Sequence, residues 1–400
     1  MNTTTSKQTV IAIALAAVLG ACISDDTTAA TPESCASLNA RLPDSVASVS
    51  WNKVTRDLVT KYRTDPSARP YALVSMAQYA AVSAAEVGDA GSCPSVRAAV
   101  SAASASVLAY LYPAEAVSLE QMLGVQQAAD SALGMKRLAE GAALGRQAAS
   151  PVIARGMADG NDAPWTGTVP TGPGMWYSSA KPAVPPATPM LAKARAWLLT
   201  SNDQFRPAPP PVFGSPAFQQ ALAEVRDISL ARTVAQTDIA KKWALSGGTF
   251  RTQGQWNLVA SDLIIRDGLR ERAAARVLAV LNVAMNDASI ACFDSKYTFW
   301  LIRPSQADTT IKLPISLPNH PAFPSSHSCT SGAGSEVLSA FFPSDAVALR
   351  DLANEIGLSR LYAGIHYRFD IDAGLAIGQA AGKLALARDG APGLLKAVGL

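Results

Sequence analysis

The chain has 400 residues, 49% of them hydrophobic and 16% charged, which is enough apolar content to bury one large core or two smaller ones and excludes disorder as its main state. Its 34 basic and 31 acidic residues leave a formal charge of +3 with no basic block, so no nucleic-acid surface is expected. Alanine dominates, aromatics are 6%, and β-branched runs are scarce, a composition that favours helix over sheet.

Residues 1–22 read as a secretion signal, with Lys7 ahead of the apolar run Val10 to Leu19 and the small residues Gly20 and Ala21 behind it. The chain is therefore expected in the periplasm or cell envelope. Leu19-Gly20-Ala21-Cys22 resembles a bacterial lipobox, whose cysteine is acylated and becomes the first mature residue; ordinary cleavage near Ala30 is the alternative. An acyl group on Cys22 would hold the protein on a membrane surface without spanning it, with residues 23–50 as the tether. Beyond residues 8–21 no stretch reaches the eighteen or so uncharged apolar residues of a spanning helix, so a soluble mature body is expected.

Without Cys22, four cysteines remain, an even number for an oxidising compartment. Three connectivities are open. Nearness within the expected domains favours Cys35 with Cys93 and Cys292 with Cys329. No pair has Cys-x-x-Cys spacing, so no zinc site is expected.

Residues 51–160 carry helical signals almost without a break and read as an N-terminal bundle. Leu73, Met76, Ala77, Ala80 and Ala84 form one apolar stripe, and Ser92-Cys93-Pro94 opens another helix that runs to Tyr112. Twelve of the 26 prolines fall between Pro164 and Pro216, which makes residues 161–216 a Pro-rich linking segment. From residue 217 the helical pattern returns and continues to residue 400, broken at Pro304 to Pro324 and at Pro343. No tandem repeat of 20 to 50 residues is visible. The expected fold is all-α, two packed helical bundles, with the catalytic bundle C-terminal.

All three histidines, His320, His327 and His366, lie in the last 81 residues. Lys296 and Arg303, seven residues apart and followed by Pro304, would stand on one helix face roughly 10 Å apart along the axis. Such a pair grips a multi-oxygen anion; alone it more often means two solvated cations. Pro324-Ser325-Ser326-His327 precedes a helical stripe, which places hydroxyls, an imidazole and unpaired N–H groups at a helix start. An ordinary serine cap is the plain alternative. In Ser359-Arg360-x5-His366-x3-Asp370, the carboxylate stands one helical turn past the imidazole, where it can orient the ring as a nucleophile or ligand. A surface ion pair is the competing reading.

In order, these elements resemble the three signatures of the phosphatidic acid phosphatase type 2 and vanadium haloperoxidase superfamily: Lys-x6-Arg-Pro, Pro-Ser-Gly-His and Ser-Arg-x5-His-x3-Asp. The resemblance runs from about Trp51 to Ala387. Trp256-Asn257, the helix from Asn282 to Ala291, the Asp203 to Pro211 segment and the context of His320 look like its soluble haloperoxidase branch. One position departs, since Ser326 stands where glycine is usual; its side chain would narrow the pocket and disfavour bound vanadate.

The resemblance implies roles. Lys296, Arg303 and Arg360 would neutralise an oxyanion, with the Ser325 hydroxyl and Ser326 N–H as further donors. His366 would be a phosphorus nucleophile or a vanadium ligand, Asp370 would hold its tautomer, and His327 would be a general acid and base tuned near neutrality. His320 would line the pocket. The first functional expectation is hydrolysis of small phosphomonoesters through a phosphohistidine, with no metal cation or cofactor. The alternative is vanadate-dependent oxidation of halide by hydrogen peroxide in the same pocket. A non-catalytic phosphate-binding envelope protein is a third. The oligomeric state is left open.

Overall fold

In the computed structural model, residues 34–35, 46–87 and 92–400 are described; the signal segment, Cys22 and most of the tether lie outside them. The first half contributes α1 (Ala47–Tyr62), α2 (Ala68–Ala85), α3 (Val96–Leu111), α4 (Ala116–Ala132) and α5 (Leu138–Met157). After the Pro-rich segment come α6 (Pro216–Leu230), α7 (Val234–Lys242), α8 (Arg251–Arg266) and α9 (Glu271–Phe299). The last part holds α10 (Pro304–Ala307), α11 (Ser326–Phe341), α12 (Ala346–Tyr362), α13 (Arg368–Gly390) and α14 (Leu394–Val398). Among the described residues there is no strand, only two isolated β-bridges. The all-α expectation is met.

Local chemistry sets the helix starts. Ser95 accepts from the Ala98 N–H at 3.2 Å, Ser215 from Phe218 at 3.2 Å, and Thr233 with Gln236 closes a capping box on α7. Helix α9 is long and apolar enough to cross a membrane, but 94% of its apolar window is buried by other helices. It is the core helix. It packs against α2 on one side and against α11 and α13 on the other, and one apolar cluster runs through all of them from Ala47 to Leu394. The Pro-rich segment is clamped to α9: Asp287 accepts from the N–H groups of Trp197, Leu198 and Leu199 at 2.8, 2.7 and 3.2 Å.

The two halves repeat one another. Ser95 caps α3 as Ser325 caps α11, an offset of 230 residues, and at the same offset Val107, Leu108, Tyr112, Pro113, Ala116 and Leu119 face Val337, Leu338, Phe342, Pro343, Ala346 and Leu349. Both first helices end with a residue near φ −130° and ψ +71°, followed by a proline-led 3-10 turn. Glycines set the approach of the last helix in each half. A Cβ on Gly141 would strike the Ser95 carbonyl and one on Gly145 the Ala99 carbonyl. On the other side, Gly374 meets Ser325 and Gly378 meets Cys329. The repeat is dispersed, which is why a search for tandem units misses it.

Cys35 and Cys93 form the expected disulfide. Cys292 and Cys329 do not: both are free, buried thiols. Their positions are dictated by packing of α9 and α11, and Cys292 Sγ turns to the Pro324 carbonyl at 4.0 Å.

Gly145→Ala and Gly378→Ala should each destabilise the protein by about 1–3 kcal/mol or more, because carbonyls of the facing helix cannot yield without separating the pair. Gly124→Ala, with nothing within 4 Å, should leave stability level or slightly raised. Denaturant unfolding of the three variants checks this.

Candidate active site

Lys296 sits in the last turn of α9, fully buried. Its ammonium donates to the carbonyls of Pro321 at 2.8 Å, Ala322 at 2.9 Å and Pro324, pinning that loop beneath the start of α11. Helix α9 then stops: Phe299 is its last residue and Trp300 adopts a left-handed φ of 49°. Ile302 N–H bonds the Gly174 carbonyl at 2.9 Å, so the chain has left the helix before Arg303. The expectation that Lys296 and Arg303 share a helix face is thus corrected. A reversal at Trp300 brings them together, and Pro304 begins α10 instead of ending α9.

Arg303 is the hub. Its Nε donates to the His320 carbonyl at 3.0 Å, Nη1 to the Ile365 carbonyl at 2.8 Å and to His366 Nε2 at 2.9 Å, and Nη2 to His320 Nδ1 at 3.0 Å. Because a guanidinium only donates, the His366 Nε2 that faces it is an acceptor, while His320 Nδ1 stands between the Arg303 donor and the Pro321 carbonyl at 3.1 Å. His366 Nδ1 therefore carries the proton and donates to Asp370 Oδ2 at 2.8 Å. The same oxygen accepts the Tyr367 N–H at 3.1 Å, while Oδ1 has no partner. Helix α13 begins at Arg368, so His366 stands just before it and Asp370 in its first turn.

Arg360, in the last turn of α12, donates from Nε to Ser359 Oγ and from Nη2 to the Ala240 carbonyl, each at 2.9 Å. The Ser325 hydroxyl is the α11 cap, accepting from Ser328 N–H at 3.4 Å, and the Ser325 N–H bonds the Asp370 carbonyl at 2.8 Å. Ser326, His327, His320 and His366 line one cavity of about 270 Å³. His327 Nε2 is buried with no partner.

Burial governs the titrations. It lowers Lys296 to about 8, Arg303 to about 10 and Arg360 to about 9. It also pushes all three histidines well below the usual imidazole range; the nearby cations then add to the effect, Arg360 at His327 and Arg303 at His366. Asp370 is raised to about 7 by burial, against the pull of Lys296. A His327 tuned near neutrality is therefore not what this arrangement provides: the ring is neutral at pH 7.

Three buried cations thus gather around the His366–Asp370 pair, with Arg303 donating to the His366 Nε2 lone pair and His327 Nε2 left without a partner. That arrangement is complementary to a multi-oxygen anion. The sequence reading missed the outer wall, built from residues 65–68 and 244–253, where no motif stands; its one trace was Trp256-Asn257, a few residues into α8.

A family model described as the PAP2 superfamily matches residues 276–389, the stretch that holds the whole cage. No curated protein matches the chain. Among solved structures, the first bacterial vanadium-dependent iodoperoxidase is similar with TM-score 0.76 and 23% identity over 87% of this chain and 97% of that one. The apo-type bacterial vanadium-dependent chloroperoxidase gives TM-score 0.65 and 16% identity, covering 82% of this chain and 92% of that one. Its holo-type counterpart gives 0.64 and 16%, covering 85% and 92%. These likenesses are of fold.

Oxyanion affinity should fall as pH rises through about 8, because Lys296 is cationic below that value and loses its charge above it. Calorimetric titration with inorganic phosphate at pH 7 and pH 9 measures the drop. Lys296→Met should bind more weakly at pH 7 and lack that step.

Proposed function

We propose that this chain, which belongs to the PAP2 superfamily through residues 276–389, is a vanadate-dependent haloperoxidase that oxidises halide with hydrogen peroxide. The reading is carried by His327: a neutral ring with a buried, unpartnered Nε2 is ready to take a proton from an entering peroxide. The same ring would have to arrive protonated to serve an ester's leaving oxygen. Likeness along nearly the whole chain to vanadium-dependent peroxidase structures supports this choice.

The residues fit vanadate by charge and by donor set. Arg303, Arg360 and Lys296 would compensate its oxygens, the Ser326 N–H and Ser325 hydroxyl would donate to them, and His366 Nε2 would supply a nitrogen ligand. Bound vanadate would supply a Lewis-acid centre that activates peroxide toward halide. Asp370 keeps the His366 proton on Nδ1 and the lone pair on Nε2. His327 Nε2 takes up a proton at the cavity floor and returns it to departing water. His320, tilted against Phe293 with centroids 5.5 Å apart, contacts Arg303 Nη2 at 3.0 Å and helps to fix the guanidinium.

Ser326 favours a second reading, phosphomonoester hydrolysis, because its side chain occupies cavity wall where the resembling signature has glycine. In that reaction His366 Nε2 would attack phosphorus, the P–O ester bond would break, and water would then release phosphate from the histidine.

Purified protein should bind orthovanadate by ⁵¹V NMR and then oxidise iodide or bromide with peroxide. Asp370→Ala should cost about 10- to 100-fold in vanadate affinity by loosening His366. Release of phosphate from a chromogenic ester, inhibited by vanadate and without halide oxidation, would transfer the assignment to the second reading. Tight phosphate binding with neither turnover would leave only a binding protein.

A further inference from the structure

Two buried side-chain nitrogens on the cavity wall have no partner, His327 Nε2 and Arg251 Nε. The first belongs to the proton handling above. The second is unused by that chemistry, although Arg251 lies close enough to His327 for its charge to disfavour protonation of the ring.

Arg251 opens α8 with a φ of 62°, a left-handed conformation that L-residues rarely adopt and that clusters at ligand sites. Its backbone N–H is tied to Thr249 Oγ1 at 3.1 Å. Its Nη2 donates to the Arg63 carbonyl at 3.3 Å and lies 3.6 Å from Asp65 Oδ2. These contacts hold the guanidinium at the rim and leave the Nε–H without an acceptor. Leu245, Phe293 and Leu317 share the wall with Asp65 and several hydroxyl and amide side chains, so a cationic side chain borders a space that is apolar on part of its surface.

We propose that Arg251 is the recognition residue for an organic acceptor, a small carboxylate on an apolar or aromatic body, held in the cavity above the oxyanion cage. A buried donor of full charge calls for an acceptor oxygen of opposite charge. The apolar wall calls for a ring or short hydrocarbon, and about 270 Å³ limits it to a small molecule. Positive excess in the cage below favours an anion over a neutral ligand. The occupancy claim is independent of the haloperoxidase reading; what happens to the ligand rests on it. There, a ring C–H is replaced by C–halogen: halide gives two electrons to peroxide, the ring proton leaves, and, with one further proton taken up, both peroxide oxygens end as water.

The test is calorimetric titration of the vanadate-free protein, with saturating phosphate filling the cage, using 4-hydroxybenzoate and its neutral analogue 4-hydroxybenzyl alcohol. Wild type should prefer the carboxylate by about tenfold or more. Arg251→Asn, chosen because asparagine tolerates left-handed backbone, should erase that preference while keeping the melting temperature. Arg251→Lys should keep part of it and supplies the comparison if the asparagine variant unfolds. A preference that survives in Arg251→Asn, displacement of 4-hydroxybenzoate by phosphate, or absence of binding to wild type would each overturn the proposal. Because no vanadate, halide or peroxide is present, a failed peroxidase assay and a failed binding assay are separate results.

Discussion

Three cationic side chains lie buried in one cage, with Asp370 as the carboxylate that Lys296 and Arg303 feel, and much of the C-terminal architecture follows from keeping them there. Removing an ion from water costs several kcal/mol even after relaxation, so each must find oxygen partners or be driven neutral. Lys296 finds three carbonyls from one proline-rich loop, Arg303 finds two from loops that meet it from opposite sides, and Arg360 reaches back to Ala240 in α7. The cations thereby position the loops that carry His320 and His366. Backbone carbonyls solvate charge without cancelling it, and the uncancelled excess is what makes the cage a receptor for anions.

The dispersed repeat isolates what the scaffold does from what the side chains do. At the positions of His327 and Arg360 the first half holds Arg97 and Asp130. These form a two-pronged ion pair, Arg97 Nε lying 2.8 and 2.9 Å from the carboxylate oxygens, with Asp130 buried. The same serine cap, the same helix turn and the same glycine contacts thus surround a centre that has supplied its own anion. A fold of this kind is permissive toward oxyanion chemistry; only the half that withholds the internal carboxylate leaves a charge unanswered.

This division also explains how much was readable beforehand. Helix content follows from alanine and apolar spacing, and the signature residues from Lys296 to Asp370 announce themselves because their chemistry is rare and their order specific. Contacts that depend on where a helix stops were not readable. Arg303 reaches the cage through the left-handed turn at Trp300, a conformation that nothing in the residue type foretells. Cys292 and Cys329 do meet, thiol against thiol, yet they remain free and buried. The cavity wall is harder still, since residues 65–68 and 244–253 meet the histidines only through the packing of both halves against α9.

The protonation pattern of the cage points the same way as its geometry. Burial and mutual repulsion depress the cations and the imidazoles together, while Asp370 is lifted, so every titrating group is displaced toward its uncharged form. An anion entering the cage opposes the repulsion that Arg303 exerts on Lys296, whose affinity for a proton rises as it binds. Binding and proton uptake are therefore linked through shared electrostatics. A site so arranged holds its anion more tightly when a proton accompanies it.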